Sequence, residues 1–129
     1  MYIIFLLTAL FIKHFVVDFL LQPPYMYKNK GTLMHPGGWL HAGLHGIATF
    51  GILALITNAF APGMIVSIVY ISLLSLAEVF IHYTMDYIKV NVCKKNRYTP
   101  TTHEQWFTWL GIDQTVHSLT YILIAAMML

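Results

Sequence analysis

Four pairs of imidazole and carboxylate side chains recur along the chain at a spacing of four residues. The pairs are His14 with Asp18, His41 with His45, His82 with Asp86, and Asp113 with His117. Residues four apart lie one turn apart on the same face of a helix, so each pair can offer two ligands in one direction. A random placement of the seven histidines and three aspartates gives only about 0.8 pairs at this spacing. The spacing therefore indicates a shared site rather than coincidence.

These ligand types are those of a divalent metal, with zinc favoured and iron or manganese as alternatives. Eight ligands exceed what one zinc ion with an open position requires, so the count predicts two ions. Two ions can activate a bridging water and hold both the attacking and the leaving oxygen, which is hydrolytic chemistry. The competing interpretation is a lattice of interhelical hydrogen bonds, each contributing about 0.6 kcal/mol.

Four further residues are candidate catalytic or orienting groups. Glu78 precedes the third pair by one turn and is a candidate ligand, general base or protonated structural acid. Lys89 follows that pair by three residues; it is predicted to contact an anionic substrate group, or else to reach the interface as a snorkelling lysine. Gln22 follows the first pair and Gln114 adjoins the fourth, so both are candidates for orienting ligands.

The composition indicates what must position these groups. The chain has 129 residues, of which 58% are hydrophobic and 9% are charged, whereas a soluble domain carries about 25% charged residues. This excludes an ordinary soluble enzyme and a disordered chain, and the formal charge of +2 argues against a nucleic-acid partner. Cys93 is the single cysteine, so an intramolecular disulfide is excluded and a cysteine-based zinc site is not expected.

Four apolar segments are long enough to span a bilayer. The predicted helices cover residues 2–21, 38–57, 64–90 and 104–129. They predict a single all-α domain over residues 1–129, a four-helix transmembrane bundle in up-down-up-down order. A turn at residues 61–63 and a polar linker from residue 91 to 104 separate the later helices. The first segment lacks a preceding basic region and is interpreted as a retained helix, not a signal peptide.

A stripe of small residues and the basic residues give the packing and orientation of the helices. Gly38, Ala42 and Gly46 repeat every four residues, which allows a close helix approach. Six of the seven lysines and arginines lie in or beside the connections that follow helices one and three. The positive-inside rule therefore places these connections in the cytoplasm and both termini outside. Lys13 lies within helix one and must snorkel or find a partner.

In this topology all four pairs fall at the cytoplasmic ends of the helices. The members nearer the headgroups are predicted to be Asp18, His41, Asp86 and Asp113. The four remaining histidines form a deeper tier, because neutral imidazole tolerates a low dielectric better than a carboxylate does. The sequence thus predicts a site near the inner leaflet of the cytoplasmic membrane.

Motifs along nearly the whole chain carry a resemblance to a family. They are His14-x-x-x-Asp18-Phe19-x-Leu21-Gln22, Lys30, His41-x-x-x-His45, His82-x-x-x-Asp86-Tyr87-x-Lys89 and Asp113-Gln114-x-x-His117. With them the chain resembles a set of small integral membrane proteins of bacteria and their phages, classed as a domain of unknown function. The resemblance implies the site and no particular reaction. The spacing alone is also similar to that of membrane-associated metal-dependent hydrolases and helical zinc phospholipases.

The leading functional hypothesis is a membrane-embedded, metal-dependent hydrolase that acts on a phosphoester or lipid-like substrate. Three alternatives stay open: a non-catalytic interaction protein with a structural metal site, a transporter of metal ions or protons, and a di-iron oxidoreductase. The expected partners are membrane lipids and no nucleic acid, with a homodimer or a host membrane protein as further options.

Overall fold

The computed structural model describes residues 1–60 and 68–129, and every regular element within them is a helix. The elements are α1 (Tyr2–Phe15) continuing as a π-helical turn (Val16–Leu20), α2 (Pro24–Tyr27), α3 (Pro36–Phe60), α4 (Ile68–Asn96) and α5 (Glu104–Met127). The predicted turn at residues 61–63 and the predicted start of the third helix at residue 64 lie outside the described residues.

Prolines and a capping motif set the helix boundaries. Pro24 and Pro36 stand at the first positions of α2 and α3, where a missing N–H costs no helical hydrogen bond. α4 ends at a Schellman motif, in which Arg97 has a left-handed φ of 57° and the Tyr98 N–H donates to the Cys93 carbonyl at 2.9 Å. The predicted end at residue 90 is therefore corrected: apolar character stops there, but the polar residues 91–96 remain helical until the cap forms.

The four long helices pack in a closed ring. α3 contacts α1 and α4, and α5 contacts the same two helices from the opposite side. α3 and α4 approach closely because a Cβ atom on Gly46 would collide with the Val79 side chain, and one on Gly38 would press on Tyr83. Ala42 is fully buried between these glycines. The predicted role of the small-residue stripe in close packing is confirmed.

The polarity of the molecule is inverted relative to a water-soluble protein. His41, His45 and Asp113 are fully buried, whereas Ile47 and Leu55 on the outer surface are 73% and 72% exposed. Such an apolar exterior is stable in an apolar surrounding. Three segments are long and apolar enough to cross a membrane, namely Tyr2–Leu20, Pro36–Phe60 and Ile68–Asn96. These features indicate a membrane protein.

α5 is not one of those three segments. It carries Asp113, Gln114 and His117, which lower its apolar character. The interior of the ring is likewise divided along its length: polar side chains fill one half, and the other half is an apolar core around Leu6, Leu10 and other buried side chains. The fold thus supplies a dry, packed base beneath the polar residues.

Candidate metal centre

All four predicted pairs meet in the interior of the helix ring. They are His14 and Asp18 from α1 and its π-helical turn, His41 and His45 from α3, His82 and Asp86 from α4, and Asp113 and His117 from α5. Seven of these residues are buried, and the side chain of Asp18 is only 8% exposed. We call these eight residues the polar cluster.

Four imidazole rings, one from each long helix, form a packed layer within the polar cluster. The ring centroids of His45 and His82 are 3.7 Å apart, and those of His82 and His117 are 4.0 Å apart. The ring of His14 closes the layer at 5.4 Å from His45 and 5.1 Å from His117. These are the four residues of the predicted deeper tier, and they do share one level.

Asp18 lies at the centre of the best-formed donor group. Its Oδ1 atom is 2.9 Å from His41 Nε2, 3.3 Å from His45 Nε2 and 3.7 Å from His82 Nε2. One ligand atom from each of these four residues lies within 4.8 Å of the others. Because zinc–ligand bonds are about 2.0–2.2 Å long, the ligand atoms of a tetrahedral site are about 3.3 Å apart. The geometry of the group is therefore close to that of a four-coordinate metal site.

Buried atoms in this region lack well-aligned hydrogen bonds. Asp18 Oδ1, His45 Nε2 and His117 Nε2 have no hydrogen-bond partner among the described residues, despite their short separations. Buried polar atoms are normally hydrogen-bonded in roughly 90% of cases or more. A cation shared by such atoms would satisfy them together, so the donor set fits a divalent metal.

A second donor group overlaps the first. It consists of His82, Asp86 and His117, and Asp86 Oδ2 lies 3.4 Å from His82 Nε2. One imidazole nitrogen binds one ion, so the shared His82 cannot complete both groups through the same atom. The two ions predicted from the sequence therefore do not have two independent ligand sets here.

His14 belongs to neither donor group, because both of its ring nitrogens have partners. Nδ1 lies 3.0 Å from the hydroxyl of Tyr121, and Nε2 lies 3.0 Å from Gln114 Oε1 and 3.2 Å from Asp18 Oδ2. If the Tyr121 hydroxyl donates to Nδ1, the Nε2 proton points to the amide oxygen and the carboxylate. His14 then orients Asp18 and offers no lone pair to a metal.

Asp113 also lies outside both groups and has its own partners. Lys89 Nζ donates to its Oδ2 atom at 2.7 Å, and Gln114 Nε2 donates to the same atom at 3.2 Å. Gln114 thus joins Asp113 to His14 through its amide group. The Lys89 side chain is 20% exposed, which makes it the most accessible of the charged groups around the polar cluster.

Lys13 and Glu78 form a buried ion pair beneath the imidazole layer. Lys13 Nζ also donates to the Tyr121 hydroxyl at 3.2 Å and lies 3.4 Å from His45 Nδ1. Glu78 is therefore paired and belongs to neither donor group. Sequence reasoning did not identify Tyr121, although it follows His117 by four residues and so extends the stripe of the fourth pair.

Lys30 is the second buried lysine that was not predicted as a site residue. Its Nζ atom lies 2.8 Å from Asp86 Oδ2 and 3.7 Å from Asp18 Oδ1. The residue is only 7% exposed, although it belongs to the connection between α2 and α3. Its place in the family motif was the one sequence signal of this role.

Gln22 and the π-helical turn complete the surroundings of Asp18. Gln22 Nε2 donates to the main-chain carbonyl of Asp18 at 2.5 Å, so it contacts the backbone and not the carboxylate. Asp18 itself lies in the middle of the π-helical turn. Such turns are rare and occur frequently at functional sites.

Comparisons with known proteins agree with the resemblance found in the sequence. Residues 6–129 match the model of a family described as "Protein of unknown function (DUF3307)". No curated protein and no solved structure matches the chain. The match covers nearly the whole chain, so this protein belongs to the DUF3307 family.

Proposed function

We propose that this protein is a membrane-embedded, metal-dependent hydrolase that acts near the inner leaflet on a phosphoester or lipid-like substrate. The observation that carries the proposal is the convergence of Asp18, His41, His45 and His82 at metal-ligand spacing. Ionisable residues inside a membrane are costly and are usually functional. A hydrogen-bonded lattice would leave fewer buried donor atoms without partners.

The proposal includes four membrane crossings in up-down-up-down order. The closed ring supports α5 as the fourth crossing, since its buried face carries Asp113 and His117 against the other helices. Its outer face exposes Leu119 and Leu123, at 53% and 62%. Lys94 and Lys95 in the last turn of α4 and Arg97 after it then lie at the same end as the polar cluster, which supports a site on the cytoplasmic side.

In this proposal Asp18, His41, His45 and His82 hold the metal, with zinc favoured and iron or manganese as alternatives. A bound divalent ion would supply Lewis acidity and lower the pKa of water. With the imidazoles counted as neutral, the cluster and its charged partners Glu78, Lys13, Lys30 and Lys89 include four carboxylates and three ammonium groups, a formal charge of −1. One divalent ion makes this charge +1 and two ions make it +3, so the charge balance favours one ion over the predicted two.

The remaining predicted residues have distinct proposed roles. Lys89, at the accessible edge, would contact an anionic group of the substrate. Gln114 and His14 would hold the neighbouring carboxylates in place. Glu78 is a structural partner of Lys13 rather than a general base, because a base must reach the reacting atoms.

The apolar core bears on the transporter alternative. Beyond Lys13 the ring interior is filled by Leu6, Leu10 and Leu53, each with no exposed surface. An ion path through this half would have to cross these packed leucines, and the buried polar groups there include the hydroxyl groups of Thr49, Thr57 and Ser75. The arrangement therefore favours a site with access from one side of the membrane.

Metal analysis of the purified full chain in detergent is the first test. We expect about one bound metal ion per chain in the wild type, and at least a tenfold loss of affinity in His45→Ala with unchanged helical circular dichroism. His103→Ala, outside the polar cluster, is the matched control and should bind metal normally. A metal-free wild type, even after incubation with zinc, iron and manganese, would overturn the proposal.

Substrate turnover is the second test. Lipid extracts incubated with the metal-loaded wild type and with Asp86→Ala should differ by mass spectrometry in a phosphoester-containing species. If metal binds but no lipid or soluble phosphoester is changed, the hydrolase proposal fails. Ion flux into liposomes would instead support transport, and loss of a cellular phenotype only on loop substitution would support a non-catalytic interaction protein.

A further inference from the structure

We infer that Lys30 competes with a metal ion for the carboxylates of the proposed metal site, and that a bound metal displaces it to form, with Lys89, a binding site for a phosphodiester monoanion. This inference rests on the proposed metal site. It assigns a ligand class and a binding order, with the metal before the phosphodiester.

The first step is the competition between Lys30 and a metal for the same atoms. Lys30 Nζ is 3.7 Å from Asp18 Oδ1, the oxygen atom that lies 2.9 Å from His41 Nε2. It is also 2.8 Å from Asp86 Oδ2, a donor in the second group. An ammonium group and a divalent ion repel each other strongly at such distances in a low dielectric. Lys30 and a metal ion therefore compete for these carboxylates.

The second step concerns where the displaced ammonium group goes. The connection that carries Lys30 is fixed to α4 at two points: Asn91 Nδ2 donates to the Gly31 carbonyl at 3.0 Å, and the Met34 N–H donates to the Tyr83 hydroxyl at 2.8 Å. The backbone is thus held in place, while the four-carbon side chain of the lysine can rotate. Lys30 consequently remains at the edge of the site after it leaves the carboxylates.

The third step places Lys89 beside it. Lys30 approaches one oxygen of Asp86, and Lys89 Nζ lies 3.7 Å from the other oxygen, Oδ1. Two ammonium groups therefore flank the Asp86 carboxylate, and the side chain of Lys89 is 20% exposed while that of Lys30 is 7% exposed. Lysine binds phosphate groups as a point charge, and two lysines can contact different oxygens of one phosphate.

The fourth step is the charge of the ligand. With one divalent ion, the cluster and its buried partners carry a formal charge of +1, which a phosphodiester monoanion neutralises. A phosphomonoester carries about −1.5 to −2 at pH 7 and would leave an excess negative charge in an apolar surrounding. A diester with apolar substituents also suits the exposed apolar surface of the helices. The charge count thus favours a diester over a monoester.

The test measures two affinities in the full chain in detergent. The probes are zinc and dimethyl phosphate, a soluble phosphodiester. We expect Lys30→Met to bind zinc at least about tenfold more tightly and zinc-dependent dimethyl phosphate at least about tenfold more weakly than the wild type, changes typical of a lost charge interaction. Lys28→Met removes the same charge from an exposed position two residues away and should change neither affinity.

The opposite changes expected for zinc and dimethyl phosphate affinity distinguish this role of Lys30 from a structural one. A lysine that only maintains the fold would weaken both affinities when replaced, and that result would overturn the inference, as would no change in either. Lys30→Arg keeps the positive charge and should restore phosphodiester binding, which controls for misfolding of Lys30→Met. In the wild type, removal of zinc with EDTA should weaken dimethyl phosphate binding at least about tenfold, and equal binding without zinc would contradict the binding order.

Two further binding comparisons identify the ligand. Tighter binding of methyl phosphate than of dimethyl phosphate would overturn the assignment to a diester. A second comparison measures the binding of short-chain phosphatidylglycerol in micelles and of dimethyl phosphate, and binding of either supports the inference. Tighter binding of the lipid would identify the phosphodiester ligand as a lipid headgroup. Binding of zinc and diester without turnover would defeat only the proposed hydrolase, whereas turnover with diester binding unchanged in Lys30→Met would defeat only this inference.

Discussion

Replacement of Glu78 by glutamine should strongly destabilise the protein, because it leaves the Lys13 ammonium group without its counter-ion. The two side chains are only 4% and 2% exposed. Breaking a buried ion pair by removing one partner costs about 3–5 kcal/mol. We therefore expect the free energy of unfolding of Glu78→Gln to fall by about this amount. Glu104→Gln, at an exposed acid, is the control and should change it by less than about 0.5 kcal/mol.

The double variant Lys13→Met/Glu78→Leu should recover most of the loss. Replacing both charges by apolar side chains of similar size is often neutral or stabilising. Lys13 also donates to the Tyr121 hydroxyl, and the loss of that hydrogen bond should cost about 1 kcal/mol. A double variant within about 1–2 kcal/mol of the wild type is therefore expected.

Reversible unfolding in mixed micelles of dodecyl maltoside and SDS, followed by far-UV circular dichroism, measures these differences. The complete cycle of both single variants and the double variant gives the interaction energy of the pair, expected to be about 3 kcal/mol or more. Additive effects of the two substitutions, or a Glu78→Gln variant as stable as the control, would refute the reasoning. In either case the two charges would not depend on each other in the folded protein.

The remaining predictions use the same unfolding assay or metal titration. Gly46→Ala should lower the free energy of unfolding by about 1–3 kcal/mol, because the new Cβ atom would collide with α4. A Cβ atom at Gly43 has no neighbour within 4 Å, so Gly43→Ala should leave the free energy of unfolding unchanged or raise it by up to about 1 kcal/mol. Equal effects of the two substitutions would contradict the close packing of α3 on α4. Tyr121→Phe should cost about 1 kcal/mol and weaken metal binding about tenfold, since it releases His14; unchanged metal affinity would exclude this orienting role. The free energy of unfolding of the wild type should be about 2.7 kcal/mol higher with free metal at a hundred times its Kd than after removal of the metal with EDTA. An unchanged free energy of unfolding would argue against a bound metal.

The spacing of the ligands was the most informative property of the sequence. A four-residue interval reports which side chains share a helical face, and that relation depends only on local geometry. It holds even in the first helix, where Asp18 lies in a π-helical turn, because His14 Nε2 and Asp18 Oδ2 are still 3.2 Å apart. The predicted eight residues are therefore close to one another. Which of them form a donor group depends on rotamers, which spacing does not encode.

Contacts between distant parts of the chain could not be predicted in the same way. The partner of Lys13 is 65 residues away, and Lys30 reaches the polar cluster from a connection. Periodicity carries no information about such pairs, and the charge rule placed Lys30 only in a cytoplasmic connection. The end of α4 was misplaced for a related reason: hydropathy marks the edge of the bilayer, whereas the helix ends at Asn96, next to the backbone cap at Arg97.

The long separation between Lys13 and Glu78 has a consequence for biogenesis. α1 leaves the ribosome before α4 has been synthesised, and a lysine at the centre of an inserting helix costs about 2.5–3.5 kcal/mol. The charge of Lys13 is compensated only when the segment that carries Glu78 arrives 65 residues later. The first helix therefore gains its buried counter-ion only when α4 joins it. Integration of this protein would then be a cooperative event late in translation rather than a helix-by-helix transfer into lipid.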